Sequence, residues 1–234
     1  MRPNGLIIAV DGPAGAGKST VARELSRRLG YVYVDTGAMY RVVGLLARER
    51  GISADDGPRL GQLAGDVEIQ FEPHPGGAQR VLVDGRDVTE AIRDQQVGEW
   101  ASKVSTQPEV RGKMVAAQRE IAGAGGAVLE GRDIGTVVFP DADLKFFLEA
   151  SAEERAGRRL RDLAGRGEQA RLADIVAEIE ERDRRDSSRE HSPLRCAADA
   201  ERFDSTRLSA EKVVDALLER CRGALQRGAH TRRT

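Results

Sequence analysis

Five apolar residues, Leu6 to Val10, run directly into Asp11-Gly-Pro-Ala-Gly-Ala-Gly-Lys-Ser-Thr20. No other feature of the 234-residue chain restricts its fold as strongly. From Gly12 to Ser19 the spacing is G-x-x-x-x-G-K-S. Glycines at this spacing let backbone N–H groups turn around a phosphate, and a helix N-terminus adds partial positive charge. The device needs a strand before it and a helix after it. Leu6–Val10 reads as a buried parallel strand. Lys18–Leu29 reads as a helix with Val21, Ala22, Leu25 and Leu29 on its apolar face, ended by Gly30. Gly12, Pro13, Ala14, Gly15, Ala16, Gly17, Lys18, Ser19 and Thr20 are the expected cradle for ATP. Lys18 is expected to reach the β- and γ-phosphates, and Ser19 to ligate Mg²⁺. Only five of the 37 basic residues are lysine. That one of them stands in the loop fits a compact ammonium between phosphates, where a guanidinium fork is too broad.

Further along, Tyr31–Val34 reads as a short strand. Met39, Val42, Val43 and Leu46 mark a helix stopped by Gly51. Val67–Phe71 alternates like a half-exposed strand, a turn-rich stretch follows from Pro73 to Ala78, and Arg80–Asp84 is extended again. A further short extended piece follows Gly85, so a small antiparallel insertion is expected. Helical patterns cover Val97–Ser105 and Pro108–Ala122. Ala127–Glu130 and Leu144–Leu148 read as core strands. Ser151-Ala-Glu-Glu154 has the form of a capping box, in which serine and glutamate each satisfy a backbone N–H of the other. Gly165 and Gly167 break the helix that it opens. Leu172, Ile175, Val176 and Ile179 restart one, and a last helix is expected over about Ser209–Leu225. The closing GAHTRRT reads as a frayed tail. Strand and helix alternate, so the main sheet should be mostly parallel.

Composition removes several classes of function. Net charge is −1, with 37 basic and 38 acidic side chains, so no general attraction to nucleic acid or to an acidic membrane is implied. Leu6–Val10 is too short for a signal peptide or a membrane span. Cys196 and Cys221 fit no zinc or redox spacing and read as reduced thiols of a cytoplasmic protein. From Ser151 to Arg189 ten arginines face ten acidic residues. Arg155, Arg158 and Arg159 cluster on one side of a helix, and Arg182, Arg185 and Arg189 repeat a helical spacing. Two readings are open for these arginines: a solvated salt-bridge network, or fixed charges for a transferring phosphoryl group.

Three longer motifs favour the second. Asp35-Thr-Gly-Ala-Met-Tyr-Arg41, Gly131-Arg-Asp-Ile-Gly-Thr-Val-Val-Phe-Pro-Asp141, and Arg182-Asp-Arg-Arg-Asp-Ser-Ser-Arg189 before Ser192-Pro-Leu resemble the signatures of bacterial cytidylate kinases. The similarity extends from about Leu6 to Leu225. It implies an α/β P-loop fold of the nucleoside monophosphate kinase type: a parallel core sheet flanked by helices, a small antiparallel insertion and a helical lid. The expected division is a kinase core over 1–65 and 98–225 with the lid at about 160–173, a monophosphate-binding insertion over 66–97, and a flexible tail over 226–234.

The resemblance also implies roles. Thr36, Arg41 and Arg132 would hold the acceptor monophosphate, a set suited to a dianion. Ser102, Arg111 and Asp133 would read the base. Cytosine presents an amino donor where uracil presents O4, so a carboxylate there rejects uracil by leaving two acceptors face to face. Arg182 and Asp186 would meet the ribose. Arg155, Arg159 and Arg189 would close on the phosphates, and Arg132 would serve the transfer as well. Each has a plainer alternative: Thr36 as a helix cap, Ser102 as an ordinary helical serine, Asp133 as a local partner of Arg132. Glu130 stands where many relatives carry aspartate, and Glu130 and Asp35 are both candidates for the metal's surroundings. His191 precedes Ser192-Pro-Leu where alanine is common in the family. None of the three histidines enters the mechanism, because an acceptor that is already an anion needs no protein base.

The expectation is a monomeric cytoplasmic kinase that moves the γ-phosphoryl of MgATP to CMP or dCMP, with no nucleic-acid or membrane partner. The alternatives are a P-loop kinase for another small acceptor such as UMP, and a slow ATPase switch protein. Lys18→Met should abolish transfer in an ATP-coupled assay while the far-ultraviolet circular dichroism stays unchanged; a variant of normal activity would refute the role given to the loop.

Overall fold

A computed structural model of the chain describes residues 2–73, 79–165 and 167–231. In chain order the first elements are β1 (Ile7–Asp11), α1 (Lys18–Leu29), β2 (Val32–Asp35), α2 (Thr36–Glu49), α3 (Gly57–Asp66), β3 (Ile69–Pro73), β4 (Gln79–Val83) and β5 (Arg86–Asp87). Then come α4 (Gln95–Val104), α5 (Pro108–Ala122), β6 (Ala127–Gly131), β7 (Leu144–Glu149), α6 (Ala152–Ala164), α7 (Leu172–Ser188), β8 (Glu201–Asp204) and α8 (Ala210–Thr231). A 3₁₀ turn occupies Ala91–Arg93, and a single π-helical turn occupies Ile134–Val138. These elements form two compact units, one of residues 1–33 and 122–234, the other of residues 34–121.

The first unit is built on a sheet of order β2-β6-β1-β7-β8. β1 pairs in parallel with β6 and β7, and β7 pairs in parallel with β8. All five residues of β1 are buried, as expected of a central strand covered on both faces. On one face Ile8 and Val10 pack with Val21, Ala22 and Leu25 of α1 and with Val213, Val214, Leu217 and Cys221 of α8. Burial pushes the Cys221 thiol up to about 12, so it behaves as a small apolar side chain. α6 and α7 form a hairpin with its own small core of Ala156, Leu163, Ile175 and Ile179. β8 was not foreseen. Three of its four residues are charged and exposed, and its extension comes from pairing with β7, where Arg202 also bonds Glu149.

The second unit joins a helical cluster to an antiparallel sheet of order β3-β4-β5. β3 alternates as expected, with Gln70 and Glu72 exposed and Ile69 and Phe71 half-buried. The turn read between β3 and β4 lies at residues 74–78, outside the described residues, as do Arg166 of the expected lid and residues 232–234 of the expected tail. α8 continues past Leu225 to Thr231.

Short acidic side chains set the helix starts. Asp35 accepts from Ala38 N at 2.9 Å, Asp56 from Arg59 N at 3.2 Å, and Asp94 from Gln96 N at 2.7 Å. Asp56 and the proline of the first turn open α3, an element that the pattern Leu60, Leu63, Ala64 would have revealed. The cap of α2 is Asp35, not Thr36. The capping box at Ser151 is only half formed. Ser151 Oγ accepts from Glu154 N at 3.2 Å, but Ser151 N donates to Thr206 Oγ1 at 3.1 Å, and the Glu154 carboxylate is turned to Arg158 and Arg161. Two arginines outcompete one backbone amide for that carboxylate.

Candidate functional site

In the first unit the glycine loop leaves the buried end of β1 and enters α1. Gly12 has φ near +146°, and a Cβ there would lie 2.1 Å from the Leu148 carbonyl oxygen, so no side chain fits. Lys18 is buried and donates to the Pro13 carbonyl at 2.7 Å, folding back over the loop. Burial, followed by the charge of Arg132, pushes its ammonium well below the ordinary value, with Glu130 acting in the opposite sense. Arg132 and Arg182 both act on Lys18, so cations crowd the site, with Glu130 and Asp11 as the acids beside them.

Ser19 Oγ donates to Glu130 Oε2 at 2.9 Å, and the Tyr33 hydroxyl donates to Glu130 Oε1. A hydroxyl and a carboxylate oxygen side by side are hard donors of the kind Mg²⁺ takes alongside water and phosphate oxygens. Asp35, the other candidate, spends its carboxylate on the start of α2. Among the described residues no group of three or more His, Cys, Asp or Glu side chains gathers into an all-protein metal cage. Mg²⁺ bound mainly through substrate phosphates does not need one.

Asp186 organises the arginines. It is 1% exposed and receives Arg132 Nε at 3.0 Å on one oxygen and Arg189 Nη2 on the other. Burial alone would raise its pKa; the charges of Arg132, Arg189 and Arg182 outweigh burial and hold it below the ordinary 3.8. Arg155 is also buried. It donates to Ala14 O at 3.1 Å and Ala150 O at 2.9 Å, and pairs with Asp183 at 2.6 Å, so it braces the glycine loop. Arg159 is half-buried with no ion pair among the described residues. Asp133 is buried and precedes the π-helical turn. Of the residues expected from the sequence, this unit thus brings together Lys18, Ser19, Arg132, Arg182, Asp186 and Arg189.

Arg158 was grouped with its neighbours in the sequence but given no role. It donates to Ser205 O at 2.7 Å, and Ser205 Oγ donates to the Ala16 carbonyl at 3.1 Å. Arg158 and Ser205 line a cavity of about 460 Å³ beside the loop, with Gly17, Thr20, Val21 and Leu208. Spacing alone gives no sign of Ser205, or of Tyr33 on Glu130.

In the second unit Arg41 donates to Ile92 O at 3.3 Å, and Thr36 lies buried in the first turn of α2. Arg111 is buried, donates to Ser105 O at 3.3 Å, and stacks its guanidinium 5.6 Å from the centre of the Tyr40 ring. Ser105 Oγ in turn donates to Ser102 O at 3.0 Å, so Ser102 and Arg111 meet through Ser105. Both are buried.

Asp186→Asn should destabilise the protein by about 3 kcal/mol at neutral pH, because it leaves buried guanidiniums without their counter-charge. The sign with pH follows from the lowered folded pKa. The carboxylate's contribution is full above the ordinary 3.8 and disappears as pH falls through the folded value. Urea unfolding from pH 3 to pH 7 should show the variant's deficit shrinking at the acid end; a constant deficit would contradict the charge assignment.

A family model described as Cytidylate kinase matches residues 8–223. A "Cytidylate kinase" of Geobacter sp. (strain M21) is 50% identical over 220 residues, covering 94% of this chain and 94% of that protein. A "Cytidylate kinase" of Exiguobacterium sibiricum is 51% identical over 219 residues, covering 94% of this chain and 98% of that one. The match takes in the glycine loop, Glu130, and the arginines that Asp186 gathers. With a phosphate loop, a buried arginine cluster and nearly full-length identity of about one half, the chain belongs to the cytidylate kinase family.

Proposed function

We propose that this protein transfers the γ-phosphoryl group of ATP to CMP or dCMP, giving ADP and CDP or dCDP. The observation that carries the reading is the near-complete match to cytidylate kinases across residues 8–223. The cluster of Arg132, Arg182 and Arg189 around Asp186, with Arg132 and Arg182 also acting on Lys18, supports it chemically. Phosphoryl transfer needs the reactants held in line and the charge on the transferred group balanced.

The loop from Gly12 to Thr20 binds the donor phosphates, and Lys18 adds charge at the β- and γ-positions. The cavity beside Gly17 and Thr20 has a size and an apolar wall, Val21 and Leu208, suited to the donor's nucleoside. Arg155 keeps the loop backbone in place through Ala14. Arg159 and Arg189 supply charge to the transferring group. Ser19, with Glu130 beside it, would hold Mg²⁺, which would supply neutralising charge to the phosphates. Thr36, Arg41 and Arg132 take the acceptor phosphate. Ser102, Arg111 and Asp133 take the cytosine, and Arg182 and Asp186 the sugar.

The tip of the α6–α7 hairpin, at about 160–173, is the segment suited to closing over the phosphates and excluding water. We place the protein in the cytoplasm as a monomer. Among the described residues no helix is long and apolar enough to cross a membrane.

The test is ADP formation from MgATP with CMP, dCMP, UMP, AMP, GMP and dTMP, beside a control without acceptor. CMP and dCMP should stimulate turnover strongly, with UMP at least about tenfold behind in kcat/KM. Preference for another acceptor would overturn the base assignments. Turnover indifferent to every acceptor would overturn the kinase reading.

A further inference from the structure

Asp11 is the last residue of β1 and immediately precedes the glycine loop. Its side chain is buried, and a buried carboxylate must find donors. It finds two: the backbone N–H of Ile134 at 2.9 Å and that of Gly135 at 2.7 Å, one on each oxygen. These two amides open the π-helical turn Ile134–Val138. In the sheet, meanwhile, Asp11 stands opposite Gly131, the last rung of the ladder between β1 and β6. Exactly two residues lie between that rung and the first clamped amide, and they are Arg132 and Asp133.

The clamp is closely fitted. A Cβ on Gly135 would lie 3.0 Å from Lys145 Cδ and 3.4 Å from Asp11 Oδ2, so a side chain there would press on the Lys145 stem that packs beside the carboxylate. Lys145 does not compete for Asp11, because its ammonium donates to Pro140 O and Asp199. We infer that Asp11 is a positioning residue: by its place in the ladder and by its carboxylate it fixes both ends of the Arg132–Asp133 span against the root of the phosphate loop. The alignment of acceptor contacts with donor phosphates then depends on one side chain that touches neither substrate.

Burial pushes the Asp11 carboxyl up to about 6, with the Gly135 and Ile134 amides pulling it down. The charged groups facing it are Asp133, which raises it further, and Lys18, which lowers it. Lys145 lies across Gly135, and the half-buried Cys196 is within electrostatic reach. Protonation removes the negative charge that strengthens both bonds and turns one oxygen into a hydroxyl, a weaker acceptor for an N–H. The clamp should therefore loosen as pH falls through about 6.

The inference rests on the reading of Arg132 and Asp133 as acceptor contacts, and its test separates the two. Asp11→Asn retains one acceptor and presents an NH₂ group to the other amide. KM for CMP should rise about tenfold or more while KM for ATP stays within about threefold. Amide hydrogen exchange at Ile134 and Gly135 should accelerate at least about tenfold. A parallel rise in both KM values, or unchanged exchange at the two amides, would overturn the inference. Should no acceptor be phosphorylated even by the unaltered protein, the kinase reading fails, and exchange alone decides the clamp. Should the variant not fold, the unaltered protein serves instead. Exchange at these two amides, normalised by the intrinsic rate, should speed up between pH 7 and pH 5; a flat profile would overturn the clamp.

Discussion

Like charges brought together in a dry place repel, and the structure depends on how this chain counters that repulsion. Burial depresses the Lys18 ammonium, and the charges of Arg132 and Arg182 depress it further, while Arg189 joins Arg132 and Arg182 around Asp186. The main counterweight is one buried carboxylate, Asp186, which takes Arg132 on one oxygen and Arg189 on the other. Glu130 contributes a second negative charge but gives one oxygen to Ser19 and the other to Tyr33. Asp11 also acts on Lys18, and the guanidiniums of the cluster are fixed charges of the kind that gathers phosphate. Asp186 spaces the cations and keeps them from dispersing into surface ion pairs, as happens to Arg161, Arg184 and Arg202 elsewhere in the chain.

Around that cluster the fold supplies rigid supports. β1 is central and wholly buried, so the loop at its end starts from a fixed point. Arg155 ties the loop's Ala14 carbonyl to α6, and Ser205 ties the Ala16 carbonyl to the segment after β8. Asp11 ties the root of the loop to the turn after Asp133. Each of these ties joins a side chain to a backbone group, so the site stands on a frame that does not rely on side-chain packing alone. The second unit repeats the pattern on a smaller scale, with Arg111 fixed by Ser105 and Tyr40.

What could be read from the sequence was local. The bounds of α1 follow from the glycine loop and Gly30, whereas the caps of α2 and α4, Asp35 and Asp94, were missed although each stands three or fewer residues from the amide it serves. The motifs around Arg41, Arg132 and Arg189 carried the family resemblance because their residues are contiguous. What could not be read was distant in sequence. Tyr33 meets Glu130 across 97 positions, and Asp11 meets Gly135 across 124. No periodicity or spacing announces such pairs. β8 escaped for a related reason, since Glu201, Arg202 and Asp204 give no strand pattern and only pairing with β7 extends them. The capping box at Ser151 was legible in form yet half realised, because Arg158 and Arg161 claim Glu154.

The charge cluster implies that acceptor affinity comes mainly from the phosphate and that the base supplies selectivity. Calorimetric titration with CMP and with cytidine, at one pH and one ionic strength, separates these contributions most directly. CMP should bind at least about 100-fold more tightly than cytidine, roughly 3 kcal/mol assigned to a dianion among fixed guanidiniums. Equal affinities would contradict the view that these arginines exist to hold phosphate.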